Sequence, residues 1–278
     1  MDFWDKIGTI DRRWIYLLMF LSVFIPTVFV VKFPIELTPE AEQLYYAVDE
    51  LPDSSVVMLT FDYYPSALAE TEPMSVAALR HMFKKDIKVV TLSNIPLGGP
   101  SIAERVTRDI AEEFGKVYGV DFVNLGYKAN YTAVMLGMAG SIESIFPSDH
   151  SGTPLDELPL MREVINYDDI DFIFVVADNA TVEYWISIVN AQFGVPVGSG
   201  VTAVVAPKMY SFIDSKQMTG LLGGMKGAAE YERLVEVEGT ATRGMDAQSM
   251  SHLLIIFLVL VGNLGFFMKW RGRRESEI

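Results

Sequence analysis

Four side chains suggest chemistry together: Asp62, Lys128, Asp178 and Lys208. Each follows a short apolar run that reads as a strand. Two aspartates at strand ends supply the oxygen ligands that Mg²⁺ or Ca²⁺ prefers. A lysine beside them would hold a phosphate or carboxylate. Tyr63 and Asn94, also at strand ends, add polar groups suited to a small-molecule pocket. The same residues have a plainer role. Asp62 can cap the turn before Pro65, and Asp178 can cap a helix from Thr181. With three histidines and no cysteine, zinc patterns such as H-E-x-x-H are absent, so no metal set is assigned and no cofactor is identified.

Other motifs are incomplete. Ser148-Asp149-His150-Ser151 holds the residue types of a hydrolase triad, but triads assemble through folding and not as neighbours. Ser199 lies between glycines without a G-x-S-x-G elbow, which leaves a hydrolase as a remote alternative. Leu97-Gly98-Gly99-Pro100-Ser101 opens a helix yet lacks the Walker lysine and the G-x-G-x-x-G spacing. The stretch Gly220 to Glu232 (GLLGGMKGAAEYE) is unusual, because glycines in a helix cost about 1 kcal/mol each relative to alanine. Close packing would compensate. Gly220, Gly223, Gly224 and Gly227 are therefore expected on a packing or assembly surface, with Lys226 and Glu230 paired at i,i+4.

These residues need a frame, and five β-branched runs provide one: Ser55–Phe61, Ile87–Leu92, Asp121–Leu125, Asp171–Ala177 and Gly200–Ala206. Continuous apolar runs of this length suit strands buried on both faces of a parallel sheet. Helical patterns fall between them at Pro73–Lys85, Ser101–Tyr118, Ala133–Phe146, Thr181–Phe193 and Tyr210–Val235. The alternation predicts an α/β three-layer sandwich around a mostly parallel five-stranded sheet. Ligands of such sheets sit beyond the carboxyl ends of the strands. Glu36–Asp53 is expected to hold a short helix, Pro147–Pro159 a surface loop and Glu236–Ser251 a polar linker.

Two oily segments flank that domain. Trp14–Val31 carries no formal charge, and at about 1.5 Å per residue it approaches the thickness of a bilayer core. No A-x-A-like cleavage site follows, which favours a retained signal anchor. Leu253–Met268 ends in Lys269, Arg271, Arg273 and Arg274, a basic stop. The resulting division is a cytoplasmic N-terminus (1–13), transmembrane helices at 14–32 and 251–269, a domain over 33–250, and a basic cytoplasmic tail (270–278). Lys6, Arg12 and Arg13 before the first span, against little but Lys32 and Arg243 on the inner flanks, place both termini in the cytoplasm. The main domain is then periplasmic or extracellular. Between residues 33 and 252 there are 14 basic and 31 acidic side chains, so that segment carries 14 − 31 = −17. Such acidity argues against nucleic acid as a partner.

The strings FDYYPSALAETEPMSVAALRHMF, VNLGYKA, FPSDHSGTPLDELPLMR, GVTAVVAPKMY and GLLGGMKGAAEYE resemble an uncharacterised family of prokaryotic two-span membrane proteins. The resemblance implies architecture and no chemistry. The expectation is a membrane-anchored domain in a membrane protein assembly, its partners being the lipid bilayer and other proteins or a second copy of the chain. The alternative is a sensor of a small molecule or divalent ion.

Overall fold

The computed structural model describes residues 11–29, 31 and 33–276. Lys6, Lys32 and the side chains of Lys269, Arg271, Arg273 and Arg274, on which orientation was argued, lie outside what is described. Ile35–Thr242 forms one compact unit, and the segments before and after it form another.

The larger unit begins with α2 (Pro39–Asp49) and alternates thereafter: β1 (Val56–Asp62), α3 (Leu68–Lys84), β2 (Lys88–Ser93), α4 (Gly99–Glu113) and β3 (Phe122–Tyr127). Short helices α5 (Tyr131–Met138), α6 (Ile142–Ile145) and α7 (Pro159–Glu163) lead to β4 (Phe172–Ala177). Helix α8 covers residues 181–193, with a π-helix over Trp185–Asn190. Then come β5 (Val197–Val201), α9 (Ala206–Asp214), β6 (Leu221–Gly223) and α10 (Gly224–Leu234). Every strand pair is parallel, in the order β3-β2-β1-β4-β5-β6.

Alternation along the strands gives the sheet two apolar faces. Met58, Val90, Ile173 and Val175 pack with Val134, Met138, Trp185 and Met209 on one face. On the other, Phe174 meets Tyr231 of α10 edge-on at 6.0 Å, and Phe83 of α3 lies 6.0 Å from Phe122.

The sheet has six strands rather than five. The fifth runs over Val197–Val201, not Gly200–Ala206, because glycines stand where an apolar run was sought. A Cβ on Gly198 would lie 2.3 Å from Leu44 Cδ1, and one on Gly200 would lie 2.7 Å from Met74 Sδ. Helices α2 and α3 thus press onto this strand, and the register leaves no room for larger residues. The sixth strand hides inside the stretch expected to be a single helix from Tyr210 to Val235. The helix expected over Ala133–Phe146 breaks in two, with Ser141 capping the second half through Ser144 N–H at 3.1 Å.

The smaller unit contains α1 (Arg12–Val28) and most of α11 (Thr240–Ser276). The expected polar linker Glu236–Ser251 is helical from Thr240. Among the described residues one helix is long and apolar enough to cross a membrane: Thr240–Met268, with mean hydropathy 2.1. Helix α1 is shorter, at 17 residues, and displays Trp14, Tyr16, Phe20 and Phe24. Ser22 Oγ and Ser251 Oγ approach to 3.3 Å, and fully buried Asp246 accepts from Val31 N–H and Phe33 N–H, both at 3.0 Å.

Candidate functional site

The chain leaves β1 in one direction to build β2 and β3, then returns to place β4 on the other side of β1. That reversal puts the topological switch point between the carboxyl ends of β1 and β4, the place where sheets of this winding carry their ligand crevice. Asp62 closes β1 there, opposite Ala177 in the ladder.

Asp62 is fully buried. Its Oδ1 accepts from Asn94 N–H at 2.6 Å. Its Oδ2 accepts from Asn94 Nδ2 at 3.0 Å, Trp185 Nε1 at 3.2 Å and Thr60 Oγ1 at 3.2 Å. Burial pushes the carboxyl pKa upward, and the donors from Asn94 and Trp185 pull against it. No cation faces this carboxylate among its hydrogen-bond partners. It is an acceptor hub tying β1 to the β2–α4 loop and to α8. The π-helix helps, since its wider turn re-aims side chains at the spot where Trp185 points.

Asp178 is stitched in similarly. Its Oδ2 accepts from Tyr64 N–H at 3.0 Å and its Oδ1 from Asn179 Nδ2 at 2.9 Å. Asn179 also donates to the Asp62 carbonyl at 2.6 Å, and its Oδ1 caps Thr181 N–H at 2.9 Å. The N-cap itself is Ala180, so Asp178 does not cap the helix; the side-chain oxygen at its start comes from Asn179. The structure brings Asp62, Asn94 and Asp178 together at the crevice. Tyr63 is buried beside them, with its hydroxyl turned to Ser75 at 3.1 Å and its phenol pushed up by desolvation.

The two lysines do not join them. Lys128 donates to the Ile145 carbonyl and lies 5.9 Å from the Phe146 ring centre. Lys208 pairs with Glu183 at 2.6 Å. The N–H donors at this end of the sheet are already spent on the Asp62 and Asp178 carboxylates, and neither carboxylate has a lysine beside it. Among the described residues no group of three or more His, Asp or Glu side chains is placed to hold a metal ion. Ser199 is fully buried and donates to the Val175 carbonyl at 2.9 Å. Asp149 shapes a turn by accepting from Ser151 N–H and Thr153 N–H, both at 2.8 Å.

The glycine-rich stretch packs inside the fold. A Cβ on Gly220 would sit 2.4 Å from Leu44 N, and one on Gly227 2.7 Å from the Leu222 carbonyl carbon. Gly223 faces Ala206, and Gly224 turns from β6 into α10 at φ +62°. Lys226 pairs with buried Glu230, as the i,i+4 spacing suggested. These residues fasten α10 to α2 and β6.

What reaches solvent around the crevice is mostly apolar. Tyr64 follows β1 and is 39% exposed; Leu97 follows β2 at 69%; Tyr127 ends β3 at 38%. Tyr184 follows β4 at 37%, its ring 4.6 Å from that of Tyr131, and Val204 follows β5 at 90%. Because the strands are parallel, all five lie at one end of the sheet. The sequence places Tyr64 and Tyr127 at strand ends, but it does not point to Leu97, Tyr184 or Val204 as their neighbours on this edge, nor to Trp185. A tryptophan inside an apolar helix is a readable signal, since its buried N–H requires an acceptor.

Fold and site together define a doubly wound α/β domain with a largely hydrogen-bonded polar floor, in which the buried Thr181 hydroxyl has no partner among the described residues, and a tyrosine- and aliphatic-rich rim. No protein-family model matches the chain, and neither curated proteins nor solved structures provide a match.

Proposed function

We propose that this chain is a membrane-anchored α/β domain that works by protein–protein contact within a membrane assembly, using the carboxyl edge of its sheet. One observation carries the reading: the chain segments at or after the ends of β1 to β5 each present an exposed tyrosine or aliphatic side chain at the same end, from loops, from the last residue of β3 and from the first turn of α8. Tyrosine-rich, charge-poor surfaces are characteristic of interface cores. The hydrogen-bonded crevice floor speaks for a rigid contact surface rather than for an ion or anion sensor. In this proposal α1 and α11 both enter the bilayer, both termini are cytoplasmic, and the acidic domain faces the periplasm or the outside.

The test is photo-crosslinking in intact cells. A crosslinking residue at Leu97 or Val204 is expected to give a discrete adduct above the 31.0 kDa chain, whereas one at Ile165, exposed on a loop away from that edge, gives none. Equal labelling at all three positions, or none at 97 and 204, would refute the contact face. Protease added to intact cells is expected to cut the domain, and protection until the cells are opened would invert the topology.

A further inference from the structure

Helix α10 touches both ends of the larger unit's working parts. At its start, a Cβ on Gly224 would lie 2.8 Å from Ala203 Cβ and 3.1 Å from Glu70 Oε2. Glu70 Oε2 itself accepts from Ala203 N–H at 2.8 Å, next to the exposed Val204. The eleven residues of α10, at about 1.5 Å each, then run toward the two chain stems that enter and leave the unit.

Four of its side chains grip those stems. Lys226 Nζ donates to the Glu36 carbonyl at 3.0 Å, and Arg233 Nη1 to the Ile35 carbonyl at 2.7 Å. Glu230 accepts from Thr38 N–H at 3.0 Å and Thr38 Oγ1 at 3.1 Å. Glu232 caps the other stem, where α11 begins. It accepts from Ala241 N–H at 3.0 Å, Thr242 N–H at 2.8 Å and Thr242 Oγ1 at 2.7 Å. Gly239 has no Cβ because that space is filled by the Glu232 carboxylate. Glu230 and Glu232 are both 2% exposed, and between them Tyr231 is fully buried. Its hydroxyl lies 2.9 Å from His81 Nδ1. The grips thus share one internally packed element.

We infer that α10 is a coupling strut: contact at the 203–204 turn is carried along it to the two stems, which dock and loosen as a pair. The inference rests on the carboxyl edge being the contact face, but its test requires no partner. Amide hydrogen exchange is followed on the full chain in lipid nanodiscs, comparing wild type with Glu232→Gln and Lys226→Met. Each change touches one stem directly. Loss of a charge-assisted hydrogen bond is expected to speed exchange by about tenfold to a hundredfold at the stem it held. Coupling predicts that Glu232→Gln also speeds exchange at Thr38–Leu44 and at residues 202–206, and that Lys226→Met also speeds it at residues 241–242. Coupling energies are reciprocal, so both directions must appear. Acceleration confined in each variant to its own stem would overturn the strut. Glu232→Gln is isosteric and the Lys226 side chain is about half exposed, so both variants are expected to fold. Failure of the crosslinking experiment alone would remove the contact face and leave this measurement standing.

Discussion

Replacing Asp62 with alanine removes the acceptor of three buried N–H groups: Asn94 N–H, Asn94 Nδ2 and Trp185 Nε1. Thr60 Oγ1 also loses a partner, but its hydroxyl can rotate. Each orphaned buried donor costs about 1–3 kcal/mol. The variant no longer buries a carboxylate, which offsets part of this. Taking the lower bound for each of three donors gives about 3 kcal/mol. For a domain of this size that corresponds to a melting point roughly 6–12 °C lower. Thermal unfolding of the detergent-solubilised chain by circular dichroism reads it. Asp62→Asn retains one acceptor atom and should lose about half as much. The pH dependence adds a second handle. Burial raises the folded-state pKa of Asp62 above its ordinary 3.8, so the folded chain holds this proton when the unfolded chain has released it. Asp62 then contributes most at acid pH, and its contribution falls as pH rises from about 3.8 through the raised folded value. The gap between wild type and Asp62→Ala should narrow across that window and level off above it. A melting point within about 2 °C of wild type would mean that the carboxylate is not the acceptor these donors depend on.

Other outcomes follow from neighbouring geometry. His81 is buried against Tyr45, Tyr231 and Asp49, and desolvation lowers its pKa below the ordinary 6.5. Wild type should therefore lose stability as pH falls from 6.5 toward the lowered folded value, and melting curves of His81→Gln should show a flatter pH profile. Tyr231→Phe should cost about 1 kcal/mol by removing the hydroxyl that faces His81, read in the same melts. Gly220→Ala drives a methyl into the Leu44 backbone and should destabilise by about 1–3 kcal/mol. Leu97→Glu and Val204→Glu should change stability by no more than about 0.5 kcal/mol, since both side chains already face solvent. Under the proposed contact face, size measurements on the detergent-solubilised protein should show both variants shifted toward the size of the single chain.

The site was legible only in part, for a physical reason. Strand ends in a parallel α/β domain share one edge whatever the topology, so Asp62, Asn94 and Asp178 could be nominated from their places after apolar runs. Lys128 and Lys208 met the same criterion and went elsewhere, because long side chains take the nearest acceptor: the Ile145 carbonyl in one case, Glu183 in the other. Tyr63 was a correct position with the opposite orientation, its ring turned into the core by the pleat. The rim of Tyr64, Leu97, Tyr127, Tyr184 and Val204 cannot be seen in any one segment. Each is a single exposed apolar residue, unremarkable alone, and only their common edge makes a surface.

By itself, the chain's order of residues determined the alternation of strands and helices, the parallel class of the sheet and the oily character of both flanks. Those properties are local or periodic: β-branched runs, helical spacing and uninterrupted apolar length act over a few turns of chain. Only the tertiary structure decided the sixth strand, the true position of β5, the packing of the glycine stretch and the reversal that makes a crevice beside β1. Each depends on what lies against the residue from far along the chain. Gly198 is a strand residue because Leu44 and Phe172 occupy the space where its side chain would be, and Asp62 is an acceptor hub because Asn94 and Trp185 arrive from different crossovers.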